Sequence, residues 1–251
     1  MVRRSPLTVG LAVALLVVLV AGGGGLWYLF LRDAGPPPVG GSSAAPGFSP
    51  AIGGEAACSP DPASSAGDLS GSWTVDSSIG SFSDFSDSFV GYRVKEQLAG
   101  IGANTAVGRT PNVTGSLTLA GTSITDVQIT ADLTSLTSDD SRRDGQLSHK
   151  GIETSQFPTA TFKLTAPIQL AAIPADCITV QATAAGDLTL HGVTKSVQVA
   201  LTAQRSGAIV TVTGSLAIVF ADYGFQGPSS FAVLSVEDHG IMEFQLQFRR
   251  G

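Results

Sequence analysis

From Gly71 onward, apolar and polar residues alternate with a period of two. Val127, Ile129, Ala131 and Leu133 interleave with Gln128, Thr130 and Asp132; Leu188 and Leu190 with Asp187 and Thr189; Val197, Val199 and Leu201 with Ser196, Gln198 and Thr202. Leu216, Ile218 and Phe220 share one face, as do Phe244, Leu246 and Phe248. One apolar face at period two marks a half-buried strand. Turn signals at Ala120-Gly121-Thr122, His191-Gly192 and Arg205-Ser206-Gly207 separate these runs, and such short connections predict antiparallel hairpins. About eight strands result, enough for a sandwich or a closed barrel that is filled or holds one small ligand. The alternation stops between Ser138 and Ile152, where acidic residues precede basic ones. That order predicts one short helix capped by Ser138 or Asp139, weakened by Gly145.

A different pattern precedes the alternation. Leu7 to Leu31 is uncharged and almost wholly apolar. As a helix it would span about 37 Å, against a hydrocarbon core of roughly 30 Å. Arg3 and Arg4 before it, and Trp27 and Tyr28 near its far end, predict a single transmembrane anchor over residues 1–32. The N-terminus would then be cytoplasmic and the rest extracytoplasmic, in a bacterial cell envelope. A cleaved signal peptide is the alternative, although its apolar region is normally shorter. Residues 33–68 are dominated by Pro, Gly, Ala and Ser and read as a disordered linker to a domain at 69–251.

Charge narrows the partners. Of 14 Lys and Arg, three precede Asp33, and all 20 acidic residues start there, so the remainder carries a net −9. This disfavours nucleic acid and anionic headgroups. The two cysteines, Cys58 and Cys177, suit a disulfide in an oxidising compartment, with two unrelated thiols as the alternative.

Catalytic and metal patterns are missing. His149, His191 and His239 have no metal-ligand spacing, and no phosphate loop or Gly-x-Ser-x-Gly occurs. Asp139, Asp140 and Asp144 beside Arg142 and Arg143 read as a solvated ion network rather than a carboxylate site. No enzyme, metal or cofactor is expected.

Several segments resemble the YceI-like family. GSWTVDSSIGSF resembles its Trp-x-Val/Ile-Asp start, and LTSLTSDDSRRDGQLSHKGIETSQFPTATFKL its Ser-Leu, Arg-Asp and Phe-Pro-x-Ala-x-Phe series. GDLTLHGVTK resembles its most specific hairpin, and FADYGFQGP and SVEDHGIMEFQLQF its closing segments. One departure is the stretch after the second strand's start, where many members place a His and this chain has Lys95, Glu96 and Gln97. The resemblance implies an elongated, lipocalin-like antiparallel β-barrel whose apolar tunnel carries a long isoprenoid lipid, of quinone or polyprenyl type. The inward faces then supply Leu117, Leu119, Ile129, Leu133, Phe162, Leu164, Leu188, Leu190, Leu216, Ile218, Phe244 and Leu246 as ligand-binding residues, with Phe89, Tyr92 and Phe157 at the mouth or wall. Trp73 and Asp76 are expected to close one barrel end and fix the first turn, and Arg142 and Asp144 to pin the helix. The alternative is a non-catalytic envelope interaction module with a filled barrel.

Overall fold

The alternation builds thirteen antiparallel strands in one sheet, in a computed structural model that describes residues 38–39, 69–228 and 233–251. Eight of them form a closed circuit: β1 (Gly71–Val75), β4 (Val113–Ala120), β5 (Ser123–Asp132), β7 (Thr159–Leu164), β9 (Thr179–Leu190), β10 (Val193–Ser206), β11 (Ile209–Val219) and β13 (His239–Arg250). The circuit closes where Trp73, Thr74 and Val75 pair with Arg250, Arg249 and Phe248. This resolves the choice between sandwich and barrel in favour of the barrel, which leaves no open edge along that seam.

β13 is long enough to serve two neighbours on one side. Beyond its pairing with β1, Ile241 to Gln245 pair with β2 (Phe89–Leu98). β2 pairs in turn with β3 (Gly102–Thr110), and β3 with the two-residue β6 (Thr137–Ser138). The short β8 (Ile168–Gln169) and β12 (Val233–Val236) attach to β5 and β2.

The expected helix is present as α1 (Ser141–His149), but its cap is Asp140, one residue beyond the two anticipated. The Asp140 side chain accepts from the Arg142 N–H at 2.9 Å, satisfying one of the first-turn donors. Ser138 instead donates its hydroxyl to Asp144 at 2.6 Å, tying the first turn to β6. Arg142 points to solvent and lies 4.0 Å from Asp140. The helix is pinned by Arg143, which pairs with Glu96 of β2 at 2.8 Å and with Asp139 at 2.5 Å. Burial works against the Arg143 charge, but Glu96 and Asp139 outweigh it and raise its pKa.

The barrel core is packed at the end that α1 shares with the β9–β10 turn. Leu133, Leu190, Ile218, Phe220 and Tyr223 are buried there in one cluster. At the first turn of the domain, Asp76 accepts from the Ser78 hydroxyl and N–H at 2.5 and 2.9 Å. Those bonds hold its carboxyl below the usual range, in line with its expected role. No helix among the described residues is long and apolar enough to cross a membrane. The expected anchor at 7–31, most of the linker and Cys58 lie outside the described residues. Cys177 is disulfide-bonded.

Candidate functional site

Along the barrel strands every second side chain points inward, and these inward rows enclose an apolar cavity. Its wall includes Leu117 and Leu119 of β4, Ile129 of β5, Phe162 of β7, Leu188 of β9, Val212 of β11, and Phe244, Leu246 and Phe248 of β13. The space open to the centre of a water-sized sphere is about 190 Å³. One water needs roughly 10–15 Å³ on that scale, and dry cavities of this kind take apolar guests.

Glycines keep the space open. A Cβ at Gly214 would lie 2.5 Å from the Phe244 ring, its direct cross-strand partner. A Cβ at Gly186 would lie 2.3 Å from the Phe162 ring. Both rings therefore lie against bare backbone instead of projecting into the lumen.

The two ends of the cavity differ. Toward α1 it stops at the packed cluster of Leu133, Leu190, Ile218 and Phe220. At the β10–β11 end its wall includes Trp73, Ile173, Pro174 and Arg205. Trp73 donates its indole N–H to the Leu69 carbonyl at 3.0 Å, so its ring both closes this end and faces the void. Residues 173–177 form a strap: the Cys177 N–H donates to the Arg205 carbonyl at 2.8 Å, and Asp176 accepts from the Gly207 N–H at 2.8 Å.

The structure thus gathers seven of the expected residues around one void: Leu117, Leu119, Ile129, Phe162, Leu188, Phe244 and Leu246. Leu133, Leu190, Leu216 and Ile218 belong to the packed end rather than the cavity wall. Leu164 packs with Ile168 and Ala184 in a side cluster. Phe157 lies on His191 with ring centroids 4.2 Å apart, at the β9–β10 turn. Tyr92 is on the inner face but lies against Gly108, near Arg143 and Glu96, away from the void. Its hydroxyl is buried without a hydrogen-bond partner, and burial raises its pKa. Phe89 faces the opposite way, out of the barrel, as the register with Gln245 requires.

That outward side carries a second, polar constellation. Glu243, 1% exposed, accepts from Arg93 Nε at 2.7 Å and from Arg109 Nε and Nη2 at 3.0 and 2.7 Å. The Arg109 guanidinium sits between the Phe85 and Phe89 rings, 4.6 and 4.1 Å from their centroids. Loop residues 85–88 cover the face: Gln245 donates to the Phe85 and Asp87 carbonyls, and Gln247 to that of Ser86. The Val39 N–H also reaches Glu243, at 3.4 Å, so the linker touches this wall. Sequence reasoning missed this network, although the spacing of Phe82, Phe85 and Phe89 offered a signal that the loop before β2 packs down.

On β2, Glu96 accepts from Asn104 at 2.7 Å and pairs with Arg143. At the far turn, His191 contacts the Tyr223 carbonyl through Nδ1 at 3.0 Å and Glu153 through Nε2 at 2.9 Å, which fixes the α1-end loops. Among the described residues no group of His, Cys, Asp or Glu is arranged to hold a metal. The arrangement can enclose an apolar guest.

Residues 73–248 match the model of the YceI-like domain. A polyisoprenoid binding domain from Saccharophagus degradans, implicated in plant cell wall breakdown, superposes with a TM-score of 0.55 at 20% identity, covering 71% of this chain and 98% of that one. BcnA of Burkholderia cenocepacia superposes with a TM-score of 0.52 at 21% identity, covering 69% of this chain and 98% of the other. At these identities the likeness is one of fold. No curated protein matches the chain.

Proposed function

The chain belongs to the YceI-like family, and on that premise we propose that its barrel binds and carries a long-chain isoprenoid lipid, of quinone or polyprenyl type, outside the cytoplasmic membrane. The observation that carries this reading is the apolar cavity held open inside a barrel that is otherwise well packed. Each methylene moved from water into such a wall contributes about 0.8 kcal/mol. An isoprene unit therefore offers roughly 3–4 kcal/mol gross, against which the tail loses chain freedom. Apolar walls discriminate loosely along a tail, by width and length, and require no reaction chemistry. The polyisoprenoid-binding domain of similar fold supports the same ligand class.

In this reading the apolar run at 7–31 anchors the chain and the barrel stands on the extracytoplasmic side. The same reading pairs the disulfide-bonded Cys177 with Cys58, the chain's only other cysteine. That bond would close a loop of ~119 residues, worth about 4–5 kcal/mol in the chain-entropy picture. The test is to purify the full chain from its membranes, extract it with organic solvent and identify the extract by mass spectrometry. About one prenyl lipid per chain is expected. An empty protein that also takes up no added polyprenol would overturn the reading.

A further inference from the structure

The cavity wall is mostly apolar, and at the β10–β11 end it includes a charged side chain. Among the described residues Arg205 is the only ionisable side chain in the wall. It is 5% exposed, and its Nη2 lies 3.7 Å from Asp176 Oδ1, whose own side chain is 8% exposed. Arg205 Nη1 donates to the Gly207 carbonyl at 3.3 Å, and the same Asp176 oxygen accepts from the Gly207 N–H. The strap that carries Asp176 is fastened across this end by the Cys177 N–H to Arg205 carbonyl bond and by Gln204, which donates to the Cys177 carbonyl at 3.2 Å. Cation and anion are thus both supplied by the fold and lie side by side at this end of the cavity.

Building on the carriage reading, we propose that this pair makes the β10–β11 end of the cavity selective for an uncharged headgroup, a quinone ring or a prenyl alcohol, over a prenyl phosphate. A phosphate placed there would meet one guanidinium that already has a carboxylate beside it. It would bring like charge against Asp176 where little water remains to screen it. A carbonyl or hydroxyl oxygen takes a hydrogen bond from the guanidinium without adding net charge. Arg249 holds Asp76 at 3.0 Å, Arg250 holds the Ser70 carbonyl at 2.7 Å, and neither lines the cavity. At longer range, the net −9 of the chain after Arg32 repels anionic ligands before they reach the cavity.

The test is displacement of bound tritiated geranylgeraniol from the full chain in detergent micelles. The competitors are unlabelled geranylgeraniol, a four-isoprene menaquinone and geranylgeranyl phosphate. The two uncharged lipids should compete within about threefold of each other, and the phosphate should be weaker by about tenfold or more. Asp176→Asn should bring the phosphate to within about threefold of the alcohol. Arg205→Met, which removes the donor and leaves the carboxylate in place, should weaken the phosphate by a larger factor than it weakens the alcohol. Circular dichroism checks that each variant is folded, and the wild type with Arg205→Met decides the matter if Asp176→Asn does not fold. A wild-type protein that takes the phosphate as tightly as the alcohol overturns the selectivity alone. A folded protein that never binds the labelled alcohol overturns the carriage reading and the selectivity with it.

Discussion

Strand β13 presents two environments one residue apart. Its inward side chains, Met242, Phe244, Leu246 and Phe248, border the apolar cavity. Its outward ones, Glu243, Gln245 and Gln247, are held in a dense polar network under the loop before β2. A barrel's outer face is ordinarily the wet one, yet here charge is buried outside and void is kept inside. The difference separates two tasks. The outer network fixes β2, β3 and β13 to each other and to the covering loop, whereas the inner face gives up packing to leave room for a guest. Substitutions on the two sides should therefore fail differently.

The largest effect is expected at Glu243. Glu243→Ala leaves Arg93 and Arg109 buried without the carboxylate between them, and should cost about 3–5 kcal/mol in urea denaturation. Prenol uptake per folded molecule should stay unchanged, because the network does not face the cavity. Next comes a pair with equal burial: Ile218 and Leu246 are each 5% exposed. Ile218→Ala in the packed end should cost about 2–5 kcal/mol, and Leu246→Ala on the cavity wall no more than about half as much, since one side of it already lacks neighbours. Equal costs in parallel urea melts would mean that the cavity is not a standing void.

Gly214→Val should push the Phe244 ring into the lumen. It should cost about 1–3 kcal/mol as overpacking and reduce prenol uptake severalfold in an equilibrium binding assay. The smallest effect is at Asp87, whose Oδ1 is buried without a hydrogen-bond partner and whose pKa burial raises above the usual carboxylate value. A carboxyl raised on folding contributes stability below its unfolded pKa and loses it as pH rises through the folded value. Asp87→Asn should therefore gain less than about 1 kcal/mol at neutral pH. That gain should disappear in thermal melts run below the ordinary carboxylate range.

Much of the barrel was legible because period two is a local signal. The inward rows of β4, β5, β9 and β13 follow from alternation alone, and so do the turns at Gly121, Gly192 and Gly207. Depth along the barrel axis was not legible. Leu216 and Ile218 have the same parity as Val212, but one end of the lumen is packed and alternation carries no information about which. In β2, Phe89 and Tyr92 were both expected to face the ligand. They are three positions apart, so a strand places them on opposite faces. The split pairing of β13 and the two-residue strands depend on distant partners and leave no local trace. Arg205 reads as a turn residue in the sequence, and only the closure of the strap across the barrel end makes it part of the cavity.

The most direct measurement is photocrosslinking of the full chain with a geranylgeraniol that carries a diazirine on its tail, with the adducts mapped by peptide mass spectrometry. Adducts on the inward residues Leu117, Val212, Phe244 and Leu246 are expected. Labelling confined to outward positions such as Ile178 and Leu234, which are 54% and 68% exposed, would contradict the account, as would no labelling at all.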